Sequence, residues 1–341
     1  MKTIAMCALL AALAFGLLPG NRDEAAAPDE GLVLLVETGE EAEAPRKAAS
    51  ARQNQSEKAA VQTAPDAQTV RLLDGGAVTE LSMEDYLTGV LLSEMPADFE
   101  PEARKAQAVA ARTFTCRKLL QPKHENADVC AEASCCQAWT SREQLRQKYG
   151  ASFDAVWSAA REAVRQTAGQ VLTYDGQLID AVYFSCSGGA TEAAVAVWGT
   201  DVPYLQAVES PGEEAAPRFS SRAVFSPEEF SQRLMQENPD VQLSGSPDAW
   251  LGETTRSAGG GAATCSIGGV SFSGTQLRRM FGLNSTRLTL SYQDGDFVFD
   301  VTGFGHRVGM SQYGAQTMAR LGFSYQTILQ YYYQGAEVER Q

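Results

Sequence analysis

The chain has 341 residues, 44% of them apolar and 21% charged, enough to bury a sizeable core. Its formal net charge of −14 argues against nucleic-acid binding, which needs a basic surface to neutralise phosphates. Seven Cys in so long a chain do not make a secreted disulfide framework, and any imidazole chemistry falls to two residues, His124 and His306.

Residues 1–20 carry Lys2 and an apolar run from Ile4 to Leu18, the length of a signal-peptide core or a short membrane anchor. The run ends in Leu18-Pro19-Gly20 with no small-x-small cleavage site, so an uncleaved single-pass anchor is expected, with the remainder outside the cytoplasm. Residues 21–66 are rich in Ala, Glu, Pro and Gln and are expected to form an acidic flexible linker. Within it, the apolar stretch Leu32 to Val36 is a candidate extra strand. Residues 67–341 are expected to fold as one large mixed α+β domain, with helical segments around twisted β-strands.

Strand patterning begins at Val70 to Leu73, followed by a turn at Asp74-Gly75-Gly76. Ser82 with Asp85 three residues on predicts a helix N-terminus. That helix has Leu87, Val90 and Leu91 on one face, and Glu94 falls at i+7 on the same face before Pro96 stops it. A desolvated carboxyl there would hold its proton near neutrality and serve as a general acid; at a frayed helix end it would simply be solvated. A second helix starts at Pro101 with an inner stripe of Ala106, Val109, Ala110, Thr113 and Phe114, which leaves Arg112 off the stripe as a solvated charge.

His124, Cys130, Cys135 and Cys136 then fall within 13 positions. The spacing admits a tetrahedral zinc site, a disulfide from Cys130 to Cys135 or Cys136, or free buried thiols. A helix from Phe153 to Thr167 leads to Gly169, and strands are expected over Val171 to Tyr174 and Leu178 to Phe184, the latter running into Ser185-Cys186-Ser187-Gly188-Gly189. Residues 210–261 carry little signal beyond a helix start near Phe225. A strand is expected from Ile267 to Phe272, and a helix opening after Ser273. Finally, Gly303 to Ala315 is a glycine-broken loop carrying His306, Ser311, Gln312 and Tyr313. It suits either sugar recognition or a helix N-cap at Ser311 beside a core His306.

Met83 to Val90, Ser93-Glu94-Met95-Pro96 and Lys105 to Thr113 resemble the opening motifs of the stage II sporulation protein D family, and the resemblance continues in order from about Val70 to Glu339. It implies a lytic transglycosylase that cleaves peptidoglycan between N-acetylmuramic acid and N-acetylglucosamine, on glycan strands lacking stem peptides, during forespore engulfment. Glu94 would be the catalytic acid. Arg112, Ser185, Ser187, Trp198, His306, Ser311, Gln312 and Tyr313 would bind the glycan. The family pattern around His124, Cys130 and Cys136 implies zinc. Cys135 stands where a second His is common, as a fourth ligand or beside an open position. Arg307 replaces a Gly of the family's last motif, where a positive φ would be strained. The expected partners are glycan strands and the stage II sporulation proteins P and M, at the mother-cell membrane facing the septal space. The rival implied by the same superfamily is a non-catalytic, wall-binding enhancer of an N-acetylmuramoyl-L-alanine amidase.

Overall fold

The computed structural model describes residues 68–341; the expected anchor, the linker and the candidate strand at Leu32 to Val36 lie outside them. Gly75 and Gly76, both at positive φ, turn β1 (Thr69–Asp74) back onto β2 (Ala77–Ser82) as an antiparallel pair. Ser82 caps α1 (Met83–Glu94) by accepting from the Asp85 amide at 3.1 Å, and Pro101 opens α2 (Pro101–Leu120). Beyond α2, β3 (Val129–Cys130) runs parallel to β1 on its other side.

Two helices follow: α3 (Arg142–Tyr149), with a Ser141 capping box that the sequence reading passed over, and α4 (Phe153–Gln166). Then come β4 (Gln170–Tyr174), β5 (Gln177–Leu178), β6 (Tyr183–Phe184), β7 (Gly189–Ala190), α5 (Ala194–Trp198) and β8 (Glu209–Ser210). The continuous strand expected over Leu178 to Phe184 is therefore two short pieces. A tight turn, with Val182 N–H on Asp180 O at 2.9 Å, separates them and releases β6 to another sheet.

The next stretch holds β9 (Ser220–Phe225), α6 (Pro227–Glu237), β10 (Leu251–Arg256), β11 (Ala262–Ile267), β12 (Val270–Ser273), α7 (Gly274–Phe281), β13 (Arg287–Gln293) and β14 (Asp296–Thr302). Here Gly268 and Gly269, both at positive φ, break the expected Ile267–Phe272 strand into a hairpin. The chain ends with β15 (Met310–Ser311), α8 (Gln312–Arg320), α9 (Tyr325–Tyr332) and β16 (Glu337–Arg340). Parallel pairing of β15 with β6 joins the last motif to the Ser-Gly-Gly segment, and β16 closes on β4.

The described residues form a mixed α+β domain with several small sheets. Two hydrophobic clusters fill it. One gathers α1, α2, α4, α8 and α9; the other holds aromatic residues of residues 225–299, with Phe230 stacked on Phe297 at 3.8 Å. In the first cluster a helix, not a sheet, is central. Small residues let α2 pack against α1, α4, α8, α9 and β4, so its middle, residues 106–113, is buried all round and Arg112 there has no solvent face.

Candidate active site

Glu94 ends α1 because Met95 leaves the helical region just before Pro96. Its carboxyl meets the loop that follows the Cys cluster: Ala138 N–H donates to Glu94 Oε1 at 2.8 Å. The same loop docks along α1 through Ser93 Oγ, which donates to Thr140 Oγ1 at 2.8 Å, and through Trp139 lying over Gly89. Desolvation pushes the Glu94 carboxyl up to about 7, against the opposing pull of Ala138 N–H, Gln312 and Tyr183. Gln312 Nε2 is buried and has no other partner of standard hydrogen-bond geometry among the described residues.

Around this carboxyl lies a polar network that the sequence reading did not single out. Tyr183 Oη donates to Gln137 Oε1 at 2.8 Å, and Gln137 Nε2 donates to Tyr86 Oη at 3.2 Å and Thr115 Oγ1 at 3.1 Å. Burial and the Glu94 charge hold Tyr183 far above the usual phenol range, so it stays a donor. The available signal for Gln137 was its place between Cys136 and Ala138. For Tyr183 there was none beyond strand patterning.

His306, Trp198 and Phe184 form the aromatic part of the site. The His306 ring lies 5.5 Å from Trp198 and 5.6 Å from Phe184, and its Nδ1 accepts from Val308 N–H at 3.1 Å. Desolvation first, then the charge of Arg278, lowers His306 to about 4, so the ring is neutral at physiological pH. Arg278, from α7, thus reaches the site from the second cluster. Tyr313 packs edge-on against Phe99 at 5.0 Å, and its amide donates to Ser185 O at 3.0 Å.

Three expected glycan-binding residues are instead committed to the fold. Arg112 is buried, not solvated: Nη2 donates to Val164 O at 3.0 Å and Nη1 to Thr167 Oγ1 and Gln170 O, where the cation meets the C-terminal end of α4. Ser187 turns inward to the buried carboxylate of Glu213, which also takes the Gly188 amide and the Ser210 hydroxyl. Ser311 caps α8, its Oγ accepting from Gly314 N–H at 3.2 Å. Arg307 does adopt the left-handed backbone, at φ 67°, and its buried guanidinium spends every donor: Nε on Ser187 O, Nη1 on Glu192 Oε1 and Thr286 Oγ1, and Nη2 on Ala190 O and Gly259 O.

His124, Cys130, Cys135 and Cys136 converge, with ligand atoms all within 4.8 Å of one another. His124 Nε2 stands 3.7 Å from Cys135 Sγ and 3.6 Å from Cys136 Sγ, and all three cysteines are free thiols. The cluster can hold a metal ion, with Cys135 drawn into the set.

A family model described as "Stage II sporulation protein" matches residues 74–174, the stretch that contains Glu94 and this cluster. The stage II sporulation protein D of Bacillus subtilis (strain 168) is 36% identical over 303 residues, covering 83% of this chain and 85% of that protein. The chain belongs to the stage II sporulation protein D family. A second stage II sporulation protein D, from Bacillus amyloliquefaciens, is 37% identical over 266 residues, covering 77% of this chain and 75% of its own. An "Amidase enhancer" of Bacillus subtilis (strain 168) is 30% identical over 301 residues, covering 73% of this chain and 39% of that protein. Within the stage II sporulation protein D frame, the residues that surround Glu94 come from the motifs of α1, the Cys cluster, β6 and the start of α8.

Proposed function

We propose that this chain is a lytic transglycosylase that cleaves the N-acetylmuramic acid–N-acetylglucosamine bond of glycan strands lacking stem peptides. What supports it is Glu94: burial pushes its carboxyl up to about 7, and the groups that act on it are the Ala138 N–H, the Gln312 carboxamide and the Tyr183 hydroxyl, with no second carboxyl among them. Ordinary glycosidases need two carboxyls, ~5–5.5 Å apart in retaining enzymes and ~6.5–9.5 Å apart in inverting ones. Here one group fills both roles. Protonated Glu94 gives its proton to the glycosidic oxygen as the bond to muramic-acid C1 breaks. The resulting carboxylate, held by Ala138 N–H and Gln312, takes the proton of the C6 hydroxyl, whose oxygen closes on C1 as a 1,6-anhydro ring. No water is consumed, and Glu94 ends protonated. Trp198 beside neutral His306 offers a ring face for a sugar.

In the same reading the Cys cluster holds zinc. A tetrahedral zinc with N and S ligands at ~2.0–2.1 and ~2.3 Å sets them about 3.6 Å apart, which the His124–Cys136 and His124–Cys135 spacings match. His124, Cys130, Cys135 and Cys136 would hold it as a four-ligand set of the structural kind, and it would lend rigidity to the loop that carries Ala138. The chain would act from a membrane anchor on the mother-cell side of the septal space, with the stage II sporulation proteins P and M as partners during engulfment. No helix of the described residues is long and apolar enough to cross a membrane, so the anchor rests on residues 1–20.

Product analysis tests the chemistry. Glu94→Gln should abolish release of 1,6-anhydro ends from stem-peptide-free glycan while glycan binding persists; full activity in that variant would sink the assignment. The likeness to the amidase enhancer favours one rival, a wall binder that stimulates an amidase. It predicts glycan binding by the unaltered protein with no 1,6-anhydro product.

A further inference from the structure

A cleft of about 610 Å³ opens along β9, β13 and β14, lined by Arg222, Arg256, Gly260, Arg287, Asp300 and Thr302 among others. Its charges are unevenly paired. Arg222 is engaged by Asp300, with Nε on Oδ1 at 2.9 Å and Nη2 on Oδ2 at 3.2 Å. Arg256 Nη1 donates to Leu288 O at 2.6 Å. The half-buried guanidinium of Arg287 makes no hydrogen bond or ion pair with any described residue; only its backbone amide is bonded, to Ser285 Oγ.

The surroundings keep that guanidinium uncovered. Gly189 and Gly260 flank it, both at positive φ, and a Cβ on either would lie 3.6 or 3.4 Å from Nη1. One neighbouring charge is of like sign, since Arg287 is close enough to depress the buried Arg307, whose own ion-pair partner is Glu192. An acidic chain of net charge −14 therefore presents in this cleft a cation with no ion-pair partner among the described residues. The planar fork of a guanidinium takes an oxyanion on two parallel donors, and partial burial strengthens that contact.

The cleft is linked to the candidate active site by the short segment from β6 to β7, which carries Tyr183 at one end and Gly189 at the other. Gly189 follows Tyr183, the residue against Glu94, by six positions, which caps their separation at about 20 Å of extended chain. A Cβ on Gly188 would meet Thr302 of the cleft wall at 3.0 Å. An extended polysaccharide of a few sugar units spans a length of that order.

We infer that Arg287 binds the free lactyl carboxylate of a muramic acid in the glycan, a proposal that rests on the glycan reading of the Glu94 site. Each stem peptide is joined to the lactyl group through an amide, which is neutral. Hydrolysis of that amide leaves a carboxylate on the sugar. A glycan stripped of peptides is therefore a regularly charged polyanion, and Arg287 reads the charge that stripping exposes.

Binding, measured on the Glu94→Gln protein, tests this without requiring turnover. The probes are glycan strands from amidase-treated peptidoglycan and the same strands with the carboxylates converted to methylamides. One charge-assisted pair corresponds to a loss of about 10-fold or more. Arg287→Gln should weaken binding of carboxylate strands by that factor, and Arg287→Lys by less. Methylamidation should weaken binding to the Arg287 protein equally and leave the Arg287→Gln protein unaffected. Equal affinity of the Arg287 protein for both strand types would overturn the proposal, and that arm decides even if Arg287→Gln does not fold. So would tighter binding of a phosphodiester wall polymer, which would reassign the site to phosphate. Failure of the unaltered protein to form 1,6-anhydro product would instead count against the catalytic reading alone.

Discussion

Ala138 and Glu94 are joined by an N–H···O bond of 2.8 Å across 44 residues of sequence, and Ala138 lies two positions past Cys136. The four-residue His/Cys cluster and the candidate acid are therefore mechanically coupled: whatever fixes Cys136 fixes the donor on Glu94. Groups of this kind act on a carboxyl by placing it, without touching substrate.

Metal removal should expose that coupling. Protein purified without chelator is expected to carry about one zinc per chain by elemental analysis. Cys136→Ser should lose the metal, lower the melting temperature and depress turnover, although Cys136 meets no sugar. A mass consistent with a Cys130–Cys136 disulfide in the native protein would rule the metal site out.

Gly89 is the second lever on the same loop. A Cβ there would lie 2.3 Å from Trp139 Nε1 and 3.0 Å from Thr140 O, so the loop must move away from α1. Gly89→Ala favours the helix by about 0.5–1 kcal/mol in propensity. Yet it should cut kcat, and a misplacement of ~1 Å is worth about 100-fold. Unchanged kcat would show that loop docking does not position Glu94.

The pH behaviour follows from two opposite shifts. In the proposed reaction the acid must be protonated in the free protein, so kcat/KM should fall as pH rises through about 7, the value to which burial pushes Glu94. Tyr183→Phe removes a hydroxyl that lowers the Glu94 carboxyl and should move that limb higher. Stability has its own signs. Folded Glu94 holds its proton above the unfolded value, so stability is lost as pH rises from 4.5 to 7, and Glu94→Gln should be the more stable protein at pH 8, by up to ~3 kcal/mol. His306, lowered to about 4 by burial, works the other way: stability is lost as pH falls from 6.5 through 4. Thermal melts across pH 4–8 for the native and Glu94→Gln proteins separate the two.

Arg307→Gly sets backbone relief against a stranded charge. Glycine removes a left-handed penalty of about 1–2 kcal/mol at φ 67°. It also leaves Glu192, 2% exposed and 3.0 Å from Nη1, as a buried carboxylate without its cation, worth about 3–5 kcal/mol. The net expectation is destabilisation by a few kcal/mol in denaturant unfolding, partly recovered by Glu192→Gln. A more stable Arg307→Gly protein would show that the ion pair does not outweigh the strain.

What could be read from the sequence was short in range. The turn at Gly75-Gly76, the Ser82 cap, the helix that ends at Glu94 and the His/Cys spacing depend on residues within a few positions of one another, so periodicity and spacing express them. The family motifs added the proposed role of Glu94 as the acid. Tertiary structure alone decided the rest. Arg112 looked like a surface charge because periodicity assumes one solvent face, and the middle of α2 has none. Ser187 turned from the cleft because Glu213, 26 residues away, needed its hydroxyl. Tyr183 and Gln312 reached Glu94 through the parallel pairing of β6 with β15, a contact across 127 residues that no local pattern encodes. The raised proton affinity of Glu94 belongs to this second class, because desolvation is a property of everything packed around a group and not of its neighbours in the chain.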